Sequence, residues 1–340
     1  MSQLKSFIEA SHRPEIIGGR LDRTHQTKFI LDYSNSTNLN VLTVNSIAFG
    51  PKQDKVLLNL EQAIRNEDGI LIFYYEDLHK RWSFVQTNHE SYFIYKKNDL
   101  EQYRIKPNTL YIRGCQVDVN DEFWVLLGEF YNFVDCWEGK VVCAPKKQNN
   151  NESKLYQLST SLKASSRDRN ISIGKSNVLK GERALEHLSN NKSYIVKSLS
   201  GIRSIVVDDK EFKTWHLASI NNLPVLFQEK VSGRDLRVHI VNGNVYGKLS
   251  LTKDEVDYRY DCNFFSLQDF HDFSDELKQF CIDVTQYEDN PLMGIDFIKT
   301  DSGYVVLEAN PSPGWSAYHE CNGIENDPFI NDLLMELKNA

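Results

Sequence analysis

Leu292–Gly314, LMGIDFIKTDSGYVVLEANPSPG, is the stretch from which the rest of the chain becomes readable. Two apolar runs flank Asp301-Ser302-Gly303, a combination that predicts a β-hairpin. Side chains alternate along a strand, so Glu308 and Asn310 share one face, and the hairpin returns Asp296 beside them. Three oxygen-bearing side chains without His or Cys suit Mg²⁺, which keeps water and takes phosphate oxygens as further ligands. A carboxylate pair among apolar strands calls for such a cation, because unpaired buried charge is costly. The competing reading makes Asp296 and Glu308 edge-strand charges that meet solvent or lysine; Asn310-Pro311 directly after them weighs against it.

Upstream, LRVHIV (236–241) and VYGKLSL (245–251) flank Asn242-Gly243-Asn244, a second hairpin signal. Asp235, Arg237 and His239 alternate onto one face, with Lys248 opposite on the partner strand; a surface salt-bridge ladder is the plain alternative. PVLFQEKV (224–231) is an apolar strand interrupted by Gln228-Glu229-Lys230-Val231. Gly233 then permits a bend that exposes backbone groups able to read an adenine edge. Lys197 ends the strand SYIVKS (193–198) and enters the small-residue turn SLSGIRS, where Arg203 adds donors suited to phosphate. One glycine is a weak phosphate loop, and Lys154, on a helix opened by Ser153, reads by itself as a surface lysine. Arg259 in DYRY (257–260) suits a transferring phosphoryl group, as it also suits solvent.

The first half alternates strands and helices: LNVLTVNSIAF, VLLNLEQAIRN, GILIFYYE, TLYIRG, DEFWVLLGEFYNF and KVVCAP, which predicts an α/β unit. The Asn-rich KKQNNNESK marks a boundary near residue 147. Ser274 caps an amphipathic helix carrying Leu277, Phe280, Cys281 and Val284. Asn326-Asp327-Pro328 starts a last one with Phe329, Ile330, Leu333, Leu334 and Leu337 inward.

With 340 residues, 41% apolar and 25% charged, the chain can hold two or three domains and a large core, which excludes disorder and coiled coil. No apolar run approaches the ~18 residues of a membrane helix, and the N-terminus lacks a signal-like apolar core, so a soluble, cytoplasmic protein without a membrane partner is expected. A net charge of −8 argues against nucleic acid. The six cysteines form no C-x-x-C pair and read as reduced packing residues.

In this order, the signals resemble the ATP-grasp superfamily, in particular RimK-type peptide-bond-forming ligases. The matching residues are Lys154; Lys197 with Ser-Gly-Ile-Arg-Ser; Gln228-Glu229; Gly233-x-Asp235-x-Arg237-Val238; Asp257-Tyr258-Arg259; Gly294-Ile295-Asp296; and Glu308-Ala309-Asn310-Pro311-Ser312-Pro313-Gly314. The resemblance implies an N-terminal α/β pre-ATP-grasp domain (1–147), a central lobe (148–231) and a C-terminal lobe with the metal site (232–340), antiparallel sheets clamping ATP. It further implies Lys154, Lys197 and Arg203 at the ATP phosphates, Gln228, Glu229, Lys230 and Val231 at adenine, and Asp235 at the ribose. Arg259 and Arg237 would meet the reacting phosphoryl group, and Asp296, Glu308 and Asn310 would hold Mg²⁺, with Mn²⁺ an alternative. Family members are often dimers, so a homodimer is compatible.

The implied chemistry is ATP-dependent carboxylate–amine ligation through an acyl phosphate. The acceptor is an amino acid, a peptide, a precursor peptide or a protein tail. Arg113, Lys248, Trp315 and Tyr318 are candidates to face the substrate, and His239 or His319 to deprotonate the amine. The rivals are an ATP-grasp kinase acting on a hydroxyl and a non-catalytic ATP-binding regulator.

Overall fold

The computed structural model describes residues 39–64, 69–97, 101–114, 121–147, 153–164, 170–184, 194–199, 207–208, 222–251, 267–319 and 327–338. The first half contains β1 (Asn40–Leu42), β2 (Ser46–Gly50), α1 (Lys55–Ala63), β3 (Ile70–Tyr74), β4 (Trp82–Gln86), β5 (Ser91–Lys96), β6 (Gln102–Ile105), β7 (Thr109–Ile112), α2 (Asp121–Asp135) and β8 (Lys140–Val142). A four-stranded parallel sheet runs β3-β2-β7-β8. Asp54 starts α1 by accepting from Leu57 N, which makes β2-α1-β3 a crossover between parallel strands.

LNVLTVNSIAF, expected as one strand, is broken: β1 joins a second sheet, ordered β1-β6-β5-β4, while β2 stays in the first. That second sheet lies in a stretch the apolar pattern did not single out. Its aromatics pack with α2 into one cluster through Phe49, Trp82, Phe93, Phe130 and Phe133.

The middle of the chain gives α3 (Lys154–Ala164), β9 (Ile171–Ile173), β10 (Ser176–Leu179), β11 (Tyr194–Ser198), β12 (Val207–Asp208) and β13 (Val225–Glu229). A small antiparallel sheet is ordered β10-β13-β11-β12. The remainder is β14 (Arg234–Val241), β15 (Asn244–Ser250), β16 (Leu267–Phe270), α4 (Asp275–Glu288), β17 (Leu292–Thr300), β18 (Gly303–Asn310) and α5 (Pro328–Lys338). The large sheet is ordered β16-β15-β14-β17-β18-β9, with both expected hairpins in place.

Its buried face carries Leu236, Val238, Ile240, Ile295, Phe297 and Ala309 against Leu277, Phe280, Cys281 and Val284 of α4. Ser274 caps α4, accepting from Leu277 N, with Asp275 and Glu276 in the first turn where the helix dipole favours negative charge.

Chain order and packing part company twice. β9 pairs in parallel with β18, and Ala164 of α3 joins the core of the large sheet, so α3 and β9 both pack with the C-terminal strands. α5 lays Phe329, Ile330, Leu333, Leu334 and Leu337 against Ala48, Val56, Leu57, Leu60 and Tyr111, completing the core of the N-terminal sheet. Among the described residues no helix is long and apolar enough to cross a membrane.

Candidate active site

Strand register sets out the site in two rows across the large sheet. Asp269, Lys248, Arg237, Asp296 and Glu308 are successive cross-strand partners from β16 to β18. Directly opposed residues of antiparallel strands share a face, so these five side chains lie on one side with the signs −, +, +, −, −. Tyr246, His239, Gly294 and Asn310 form the neighbouring row.

Glu308 reaches that face through an irregularity. Asp296 opposes Glu308, but Phe297 opposes Val306, so Leu307 is an extra residue in β18. Simple alternation would put Glu308 on the side of Val306, which is 1% exposed in the core. The bulge reverses the parity, and Glu308 and Asn310 turn to the side of Asp296.

Glu308 Oε2 accepts from Lys154 Nζ at 2.6 Å, and its Oε1 from Asn310 Nδ2 at 3.3 Å. Burial by itself raises this carboxyl, but the Lys154 and Lys197 ammoniums and the Asn310 amide outweigh it and hold Glu308 well below the usual carboxylate range. Lys154 and Lys197, more than 40 residues apart in sequence, are thus brought to one carboxylate. Asp296 Oδ2 accepts from Arg237 Nη1 at 2.8 Å. Gly294 makes room for that arginine, since a Cβ there would lie 2.4 Å from Arg237 Nη2 and 2.6 Å from Pro313 Cβ.

Two facing carboxylates and the Asn310 amide oxygen form a donor set suited to a hard cation such as Mg²⁺. Among the described residues no group of three or more His, Cys, Asp or Glu side chains gathers at this site or away from it, so the set is two carboxylates and an amide. At the end of β13, Gln228 is buried against Gly174, and its Nε2 has no hydrogen-bond partner among the described residues. A buried donor of this kind fits a site completed by a bound group. Glu229 N–H donates to Lys175 O at 2.8 Å, so that amide is committed within the protein.

The histidines are enclosed. His239 is 0% and His319 1% exposed, and their Nδ1 and Nε2 approach to 2.9 Å. Burial, then Arg237, His319 and Lys248, push His239 well below the usual imidazole range against the opposing Gly314 carbonyl. Burial also lowers His319, although Asp327 opposes it. Neither ring borders open space where it could take a proton from a substrate amine, the role the sequence suggested for them.

Other expected substrate contacts are also committed to the protein. Trp315 is fully enclosed and donates its indole N–H to Tyr111 Oη at 3.3 Å. Arg113 is buried, with Nε on Asp54 Oδ2 at 3.3 Å and Nη1 on Ser312 Oγ and Pro313 O at 3.0 Å each. It ties the N-terminal sheet to the loop that follows Asn310. Lys248 is bonded to Asp269 and stands 3.9 Å from Asp327. Tyr318 packs over the Arg237 guanidinium at 5.7 Å. Lys230, Val231 and Asp235 are half-buried where β13 passes to β14. Arg203 and Arg259 lie outside the described residues.

Sequence reasoning did not find Asp327 as a partner of His319, or the Leu307 bulge. The first leaves no signal at eight residues' separation, and the second hides in the continuous apolar run Val305-Val306-Leu307.

Residues 159–334 match the model of the RimK-like ATP-grasp domain. Among curated relatives, β-citrylglutamate synthase B of Danio rerio is 29% identical over 131 residues, covering 36% of this chain and 32% of that protein. A probable α-L-glutamate ligase of Haemophilus influenzae is 26% identical over 148 residues, covering 41% of this chain and 49% of that protein. The chain therefore spans a third to a half of the length of these relatives. Among solved structures, a RiPP-associated ATP-grasp ligase of Chryseobacterium gregarium, in complex with ADP and a leader and core peptide, superposes with a TM-score of 0.69. It is 15% identical and covers 86% of this chain and 96% of that one, a likeness of fold.

Proposed function

The chain belongs to the RimK-like ATP-grasp domain family, and from that premise we propose that it is an ATP-dependent carboxylate–amine ligase acting on an amino acid or peptide. The observation that carries this reading is the row that sets Asp296 opposite Glu308, with Asn310 beside them and two lysines at Glu308. Glutamate ligases among its relatives, and a peptide-bound ligase among its structural neighbours, support the substrate class.

In this reading Asp296, Glu308 and Asn310 would hold Mg²⁺, with Mn²⁺ able to substitute. The metal, when bound, draws together and neutralises phosphate oxygens. Lys197 and Lys154 add positive charge at the phosphates, Lys154 exchanging part of its hold on Glu308 for a phosphate oxygen. The Gln228 amide and the backbone of Lys230 and Val231 face adenine, and Asp235 the ribose. Arg203 and Arg259 are assigned to the phosphates on sequence alone. Arg237 keeps Asp296 oriented and places its own charge where negative charge builds.

The balanced reaction has two steps. A substrate carboxylate oxygen bonds to the γ-phosphorus of ATP, and ADP leaves. An amine nitrogen then bonds to the acyl carbon, phosphate leaves, and the amine gives up a proton. The chain contributes positioning and charge, and no covalent nucleophile.

The test is ADP release from ATP and Mg²⁺ with pooled amino acids and short peptides, followed by mass spectrometry. A product lighter by one water than its summed reactants, with one ADP per bond, is expected. A gain of one phosphoryl group would replace the proposal with a kinase, and nucleotide binding without turnover on any pool with a regulator.

A further inference from the structure

Beyond the ligand set, a second polar system runs through the protein interior and meets it at Arg237. Asp327 Oδ2 lies 3.1 Å from His319 Nδ1. His319 Nε2 lies 2.9 Å from His239 Nδ1. Arg237 Nε donates to His239 Nε2 at 3.1 Å, and Arg237 Nη1 to Asp296 Oδ2. The His319 ring is stacked on Phe329, with centroids 4.1 Å apart and an interplanar angle of 16°, so it has little freedom to turn.

The proton positions follow from one end. An ionised carboxylate only accepts, so His319 carries its proton on Nδ1 and leaves Nε2 bare. That bare nitrogen accepts from His239 Nδ1–H, which leaves His239 Nε2 bare in turn. A guanidinium only donates, and Arg237 Nε–H meets the one His239 nitrogen that can accept it. The three side-chain links agree in direction from Arg237 to Asp327, with the Gly314 carbonyl a further acceptor at His239. Burial favours neutral rings at both histidines, as this order requires.

We infer that His239, His319 and Asp327 are positioning residues for the metal site, a chain of fixed proton order that holds Arg237 with its Nη1 on Asp296. The inference rests on the ligase reading for what the site binds, but not for the order of the protons. None of the three touches a substrate; they act through Arg237, as outer-shell partners orient the ligands of a metal.

Asp327→Asn tests it. Asp327 Oδ1 accepts from Phe329 N at the start of α5, and Oδ2 from His319. Asparagine keeps the shape and the cap, but now offers His319 an N–H. His319 must then carry its proton on Nε2 and His239 on Nε2, which opposes an N–H to Arg237 Nε–H.

Two measurements follow. Histidine-selective ¹⁵N NMR reads the tautomers, and titration of Mn²⁺ with a non-hydrolysable ATP analogue, followed by electron paramagnetic resonance, reads the site. In the wild type both rings should be Nδ1–H. In Asp327→Asn the His319 tautomer should switch, and Mn²⁺–nucleotide binding should weaken roughly 10-fold or more. His319→Gln, whose amide accepts and donates in the same sense, should bind nearly as the wild type. Ile330→Val, a small cavity in the same helix, controls for lost stability.

Nε2–H tautomers in a wild type that binds Mn²⁺–nucleotide would overturn the inference and leave the ligase reading standing. So would equal weakening in Asp327→Asn and Ile330→Val at matched melting temperatures. A wild type that binds no Mn²⁺–nucleotide, with the tautomers as expected, would overturn the ligase reading and the chain's service to it together.

Discussion

Lys154 and Glu308 form the ion pair whose removal most directly interrogates the site. Their side chains are 9% and 16% exposed, and the 2.6 Å contact is little screened by solvent. Breaking a buried pair from one side costs about 3–5 kcal/mol, mostly because the other charge is left alone. Glu308 keeps the Asn310 amide and the field of Lys197, so Lys154→Met should cost less, about 2 kcal/mol. Glu308→Gln removes the charge but keeps a hydrogen-bond acceptor for the Lys154 ammonium, for about 1–2 kcal/mol. The double variant should be less stable than wild type by clearly less than the sum, with a coupling of about 1.5 kcal/mol. Urea unfolding followed by tryptophan fluorescence and circular dichroism gives the four free energies, provided the m-values agree. Adding Mg²⁺ and ADP should raise the midpoint of the wild type and leave Glu308→Gln unmoved. Additivity within ~0.5 kcal/mol would show that the two charges do not depend on each other, and the electrostatic account of Glu308 would fall.

Gly294→Ala should cost about 1–3 kcal/mol by forcing Arg237 or the Pro313 loop aside, and should abolish Mg²⁺–nucleotide binding detected by calorimetry. Because burial holds His239 and His319 below their usual range, the unfolded chain takes up protons first as the pH falls. Stability is therefore full above about pH 6.5 and declines below it by up to ~1.4 kcal/mol per pH unit per ring, readable from urea midpoints at pH 7.5 and 5.5. A flat profile there would contradict neutral buried rings. Iodoacetamide should label exposed Cys136 in the native protein. It should spare Cys143, whose thiol burial pushes up to about 12, and the equally buried Cys281, as peptide mass mapping would report.

What the sequence disclosed, it disclosed through local signals. The Asp301-Ser302-Gly303 turn, the Asn242-Gly243 turn and the Ser274 cap each act over a few residues, and each stands where the text placed it. That Glu308 and Asn310 share a face and that a tight turn returns Asp296 beside their strand was legible, but the side they share with Asp296 is set by the Leu307 bulge, which no local signal announces. The sheet β1-β6-β5-β4 was not legible, since aromatics at Trp82, Phe84, Tyr92, Phe93 and Tyr95 crowd its strands and blur the alternation that marks a half-buried strand. Nor could His239 and His319 be told from general bases. Their meaning lies in burial and in a carboxylate supplied from the start of α5, which only tertiary packing brings near. Division of the chain at composition breaks likewise says nothing of β9 or α5, whose partners belong to distant stretches.

The placement of α5 has a consequence for how the chain is made. The parallel sheet is complete once β8 has been synthesised, yet the helix that covers one of its faces follows roughly 190 residues later. At ~5–20 residues per second, that interval is on the order of 10–40 s. Until it ends, Ala48, Tyr111 and Val142 have no helix α5 to shelter them, and the nascent N-terminal unit is a client for chaperones. A stop codon before Pro328 would then do more than shorten the C-terminal lobe: it would strand the first domain in the state it occupies on the ribosome.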